Sequence, residues 1–170
     1  MQLVERHIIT STNKYYKELD EATFKSKNLY NSTLYAIRQH FFQTEKYLSY
    51  ATLQKQFQDS KQQDYTVLPS KVAQQVMKQV DTNFRAFFKA LKAYKSNPSK
   101  FQGRPKLLKY KHKTDGRFVL TYTNQAISKK ECDRDSVIHP SGLEFKFRTK
   151  ISYQDINQVR IVPICKYNKL

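Results

Sequence analysis

The stretch from Ser70 to about Tyr94 contains neither glycine nor proline, and it sorts its side chains into two faces. At about 100° per residue, Val72, Val76, Val80, Phe84, Phe87, Phe88 and Leu91 fall on one arc. Lys71, Gln75, Lys78, Thr82, Arg85, Lys89 and Lys92 fall on the opposite one. A helix with so wide an apolar stripe must bury it against other elements, so the chain needs a core built around this segment. Pro69 predicts the start, with Ser70 as the expected cap, and Asn97-Pro98 predicts the stop. The polar face is unusual in its signs. A merely solvated helix interleaves Glu with Lys for i,i+4 pairing, whereas this one offers only Asp81. We read it as a face for an anionic partner, the alternative being lysines that simply face water.

The whole chain carries the same imbalance. Its 170 residues hold 31 Lys and Arg against 14 Asp and Glu, a formal charge of +17. Polyanions are the partners such a surface fits, because each neutralised phosphate releases condensed counterions whatever the base sequence. The 12 Tyr and 11 Phe then serve two ends, since rings can fill a core or stack on bases.

Further helices and strands follow from periodicity. Leu19 to Gln43 lacks Gly and Pro and repeats Leu19, Tyr30, Leu34, Ile37 and Phe41 at helical spacing. Ser49 caps a shorter helix that turns Leu53 and Phe57 inward, and the polar run Asp59 to Asp64 ends it. Strands are predicted at Leu3 to Ile9, Phe118 to Thr123, Val137 to His139, Leu143 to Phe147 and Val159 to Cys165. Pro140-Ser141-Gly142 predicts a hairpin turn. A lone first strand cannot stand by itself, so it is expected to pair with the later strands across the helices.

Between Ser99 and Arg117 the composition shifts to Gly103, Pro105 and a dense run of cations: Lys100, Arg104, Lys106, Lys109, Lys111, Lys113 and Arg117. Tyr110 and His112 lie among them. Cations interleaved with stacking groups suit a segment that tracks phosphates, the other reading being a basic linker.

No catalytic constellation stands out. The four histidines have no metal-binding spacing, and no phosphate-cradling glycine loop occurs. Glu131, Asp133 and Asp135 alternate and could share one side of a strand, as Mg²⁺ ligands must, but they lie between Lys130 and Arg134 and read better as surface. Cys132 and Cys165 are distant and lack the spacing of a zinc site or disulfide framework, which fits a reducing cytoplasm. Neither a signal peptide nor a membrane-spanning run is seen.

The order of Leu68-Pro69-Ser70-Lys71, Asn83-Phe84-Arg85-Ala86-Phe87-Phe88, Gly103-Arg104-Pro105-Lys106 and Phe118-Val119-Leu120-Thr121-Tyr122-Thr123-Asn124-Gln125 resembles the N-terminal half of TnpB proteins, the transposon-encoded RNA-guided DNA endonucleases related to type V CRISPR effectors. The resemblance implies an α+β fold in which a small wedge β-barrel is interrupted after its first strand by a helical recognition domain. The corresponding segments are residues 1–10, the first barrel strand; 11–98, the helical domain; and 99–170, the basic loop and remaining strands. It also implies guide RNA and double-stranded target DNA as partners. Tyr50, Gln54, Lys71, Gln75 and Thr123 would contact the target-adjacent motif. Lys78, Arg85, Lys89, Lys100, Arg104, Lys106, Lys109, Tyr110, Lys111, His112, Lys113 and Arg117 are the expected RNA and phosphate contacts. The family's RuvC-like nuclease, with its acidic motifs and Mg²⁺, has no counterpart in these residues. No cofactor and no catalytic residue is therefore expected in this chain, which would be one part of a divided or longer protein. The alternative is a nuclease-less module such as an RNA-guided repressor.

Overall fold

The computed structural model describes residues 4–164. Two long helices dominate it, α1 (Tyr16–Thr44) and α4 (Ser70–Ser96), joined by the shorter α2 (Tyr50–Asp59) and α3 (Gln63–Thr66). Beyond α4 come β1 (Leu120–Thr123), α5 (Lys129–Asp135), β2 (Val137–Ile138), β3 (Phe147–Arg148) and β4 (Gln158–Ile161). The class is α+β.

The sided segment found in the sequence organises the core. Val72, Val76, Val80 and Phe84 of α4 are buried, together with Ala73 and Met77 between them. They meet Leu29, Leu34 and Ile37 of α1 and Leu120 and Tyr122 of β1. Burying one such aliphatic side chain contributes about 1.5–3 kcal/mol, so this layer holds the helices and β1 together. Farther along α4 the stripe is only half covered, at Phe87, Phe88 and Leu91. Phe41, expected inside, lies exposed near the end of α1.

The helix ends show local chemistry at work. Ser49 caps α2 as expected, its side chain accepting the Thr52 N–H at 3.3 Å. Ser70 does not cap α4; it is the first helical residue, and Pro69 occupies the cap position with no side-chain hydrogen bond. Pro69 holds extended backbone, φ −55° and ψ 133°, and its carbonyl accepts the Val72 and Ala73 N–H groups at 2.8 and 2.9 Å. The buried Asp81 braces the pair of helices. Its Oδ1 accepts the Tyr50 N–H at 3.2 Å and the Tyr47 hydroxyl at 2.7 Å, and its Oδ2 accepts Arg85 Nε at 2.6 Å. Burial and that carboxylate together hold the Tyr47 hydroxyl well above the ordinary tyrosine range.

The strands form two separate antiparallel pairs. Leu120 faces Ile161 and Thr123 faces Gln158 across β1 and β4, while Val137 faces Arg148 and Ile138 faces Phe147 across β2 and β3. No closed barrel forms among the described residues. The predicted hairpin is present, but its second arm is Phe147–Arg148 rather than Leu143 to Phe147. Gly142 turns it at φ 77°, and a Cβ there would come within 2.6 Å of Pro69 Cγ. The last strand ends at Ile161; residues 162–164, expected to extend it, form no ladder, and Cys165 lies outside the described residues.

The expected first strand is corrected. Residues 4–9 form no ladder, and Val4 and Ile8 are exposed. Side chains tether the segment to β3 instead: Glu5 accepts the Thr149 hydroxyl at 2.6 Å and the Lys150 N–H at 3.2 Å, and the His7 ring lies 4.6 Å from that of Phe147. β-branched residues favour extended backbone, but a ladder also needs a free edge in register, which tertiary placement decides.

Candidate nucleic-acid interface

Lys71, Gln75 and Lys78 rise on successive turns of α4, so one side of the helix presents them together. Along β1 the buried Leu120 and Tyr122 alternate with Thr121 and Thr123, which turns Thr123 toward the other side of the strand. The two elements pack on each other, and an open groove of about 510 Å³ lies between them. Lys71, Gln74, Gln75 and Lys78 form one wall; Thr123, Asn124 and Gln125 form the next; Gln154, Asp155, Ile156 and Asn157 close it. The Tyr153 hydroxyl donates to the Asn124 carbonyl at 2.9 Å and ties the last two walls together.

Of the residues expected to read duplex DNA, Lys71, Gln75 and Thr123 therefore share one groove, and Lys78, expected on RNA, joins them. Tyr50 borders the site through Lys78, whose Nζ sits 5.4 Å from the ring centre. Gln54 does not reach it in the same way: its amide donates to Gln58 at 3.0 Å and to the Tyr65 hydroxyl at 3.2 Å. The sequence reading missed Gln74, Asn124, Gln125, Gln154 and Asn157. With Gln75 they line the groove with amides, each offering a donor and an acceptor side by side, the pattern that base edges present. Gln154 and Asn157 arrive from far along the chain, so only the fold could reveal them.

The basic loop is laid along α1 at alternate residues. The Tyr30 hydroxyl donates to the Lys109 carbonyl at 3.3 Å, Asn31 exchanges two hydrogen bonds with the Lys111 backbone, and Lys27 Nζ donates to the Lys113 carbonyl at 2.6 Å. Leu107 and Leu108 pack against the core. Gly116 closes the turn that follows, where a Cβ would lie 2.4 Å from the His112 carbonyl oxygen. Lys27 is itself buried, and loss of solvent pulls its ammonium pKa down, helped by nearby Arg117. Anchoring the backbone this way leaves side chains on the outside: Lys100, Arg104, Lys106, Lys109, Lys111 and Lys113 are exposed, and among the described residues none is ion-paired. Lys89 on α4 is likewise exposed and unpaired.

Three expected phosphate contacts have other work. Arg117 grips both oxygens of Asp20, at 2.8 and 2.7 Å, and donates to the Thr114 and Gly116 carbonyls. Arg85 is paired with Asp81, and the His112 ring accepts the Asp115 N–H at 3.2 Å to shape the loop's own turn. The carboxylates weighed as Mg²⁺ ligands are dispersed, because α5 is a helix rather than a strand. Glu131 binds His139 and Lys146, each at 2.6 Å, and Asp135 binds Arg134. Among the described residues no group of three or more His, Cys, Asp or Glu comes together that could hold a metal.

No family model matches the chain, and no curated protein or solved structure is similar to it. No helix among the described residues is long and apolar enough to cross a membrane.

Proposed function

We propose that this chain is a nucleic-acid-binding protein that performs the recognition half of RNA-guided DNA targeting in the manner of TnpB proteins, in the cytoplasm. The amide-lined groove reads a short duplex motif beside the target, and the loop along α1 holds guide RNA by its phosphates. The two antiparallel strand pairs stand for an open wedge, with α1 to α4 as the recognition helices. Cleavage and its Mg²⁺ belong to a separate nuclease domain.

The observation that carries this reading is the meeting of Lys71, Gln75 and Lys78 of α4 with Thr123, about 45 residues later, in one groove whose other walls carry the amides of Asn124, Gln125, Gln154 and Asn157 beside Asp155 and Ile156. A merely solvated cationic face has no reason to be concave or to be faced by donors and acceptors. An amide or lysine that reads a base edge discriminates by about 1–3 kcal/mol, roughly 5- to 150-fold.

The test is selection by the purified chain from a duplex library randomised over a short window. Enrichment of one motif, with Lys71→Ala and Gln75→Ala each weakening that duplex by roughly tenfold and a scrambled duplex far less, is the expected result. Binding without enrichment reduces the groove to a sequence-blind phosphate site. No binding to DNA or RNA removes the proposal.

A further inference from the structure

We propose that the second half of α1 and the adjoining loop form a stacking platform for unpaired bases of RNA, built from Tyr35, Phe42 and Tyr110 around Arg38. The inference rests on the reading that the loop holds RNA, and it names the part of the RNA held there.

Asn31, Tyr35, Arg38 and Phe42 follow one another at helical spacings of four, three and four, so they share one face of α1. Asn31 locks onto the Lys111 backbone with both ends of its amide, which sets that face against the basic loop. Past Asn31 the face is uncovered. Tyr35 is 58% exposed, Phe42 64% and Tyr110 44%. The Arg38 guanidinium lies 5.1 Å from the Tyr110 ring centre and 6.0 Å from that of Phe42, and among the described residues it has no hydrogen bond or ion pair. Behind Phe42 runs a series of rings, Phe41, Phe88 and Phe84, with neighbouring centres about 6 Å apart.

The chemistry selects the occupant. Exposed ring faces and a planar cation offer stacking surfaces about as wide as a base, and Lys106, Lys109 and Lys111 supply phosphate contacts beside them. A duplex keeps its base faces inside the stack and can use only the lysines. Exposed Tyr, Phe and Arg also suit protein interfaces; what favours RNA is the row of loop lysines beside them, a residue type depleted at such interfaces, with no carboxylate on α1 beyond Asn31 to balance it. A single strand uses both features at once.

The experiment measures binding of the full chain to a short uridine-rich RNA carrying 2-aminopurine, to an RNA duplex and to single-stranded DNA of the same sequence. Phe42→Ala and Tyr35→Ala are expected to weaken the single-stranded RNA roughly tenfold each and to relieve 2-aminopurine quenching, while leaving the duplex and the melting temperature unchanged. Phe42→Tyr is expected to retain the affinity. Equal losses on single strand and duplex, or no loss on either, overturn the platform while leaving RNA binding by the loop in place. A preference for single-stranded DNA over RNA overturns the assignment to RNA. A homodimer that Phe42→Ala dissociates overturns it in favour of a protein interface. If the unsubstituted chain binds no nucleic acid, the proposed function falls and the platform with it.

Discussion

The Arg117 guanidinium donates to both oxygens of Asp20, whereas Lys106 and Lys109, in the same basic segment, have no carboxylate partner. Composition cannot separate these two kinds of cation; only the position of α1 beside the loop does. The Arg117 hydrogen bonds hold the Asp20 carboxyl below its ordinary value of 3.8. A carboxyl with a lowered folded-state pKa adds stability that is complete above its unfolded value and is lost as pH falls through the folded one. Asp20→Asn is therefore expected to lower stability by about 1 kcal/mol at neutral pH, a figure kept small because the pair is partly exposed, and the gap to the unsubstituted protein should narrow below pH 3.8 in urea titrations. A gap independent of pH would show that the ion pair is not its source. Gly142 is a second residue with a specific job, since its positive φ and its contact with Pro69 both resist a side chain. Gly142→Ala is expected to cost about 1–2 kcal/mol, read as a lower melting temperature, with an unchanged value contradicting the packing of the hairpin on α4.

At the scale of elements, the brace between α2 and α4 rests on Asp81, which accepts three hydrogen bonds while buried. Asp81→Ala leaves the Tyr50 N–H and the Tyr47 hydroxyl without their acceptor and is expected to cost about 2–3 kcal/mol in chemical denaturation. A cost near zero would mean that α2 is held by Leu53 and Phe57 alone. The helices were legible in the sequence because their evidence is local: Val72, Val76, Val80 and Phe84 declare a face by spacing alone, and Ser49 declares a cap. The strands were legible only as places where the chain extends. Leu120 and Tyr122 alternate strongly enough to mark β1, yet nothing in residues 4–9 reveals that this segment joins no ladder and that Glu5 will reach Thr149 instead. Likewise Glu131, Asp133 and Asp135 alternate as on a strand until Ser128 caps a helix beneath them.

Over the whole molecule, an excess of cations becomes two surfaces, a groove walled by amides and a loop pinned by its backbone with its lysines outward. The sequence yielded Lys71, Gln75, Lys78 and Thr123, but it could not yield Gln154 and Asn157, whose presence in the groove depends on the β1 and β4 pairing. Nor could it tell that Arg117 is consumed internally, because ion pairing between residues 20 and 117 is a property of the folded chain. The claim that unpaired surface cations bind phosphate is tested most directly by the dependence of binding on salt. With about six loop lysines and arginines each neutralising one phosphate, the logarithm of the association constant for single-stranded RNA should fall against that of salt concentration with a slope of about −4. Lys106→Ala with Lys109→Ala should flatten that slope by about 1.4 units, and Arg117→Ala should leave it unchanged in any protein that still folds. An affinity indifferent to salt, or a slope that Arg117→Ala flattens as much as the lysine pair, would contradict the account.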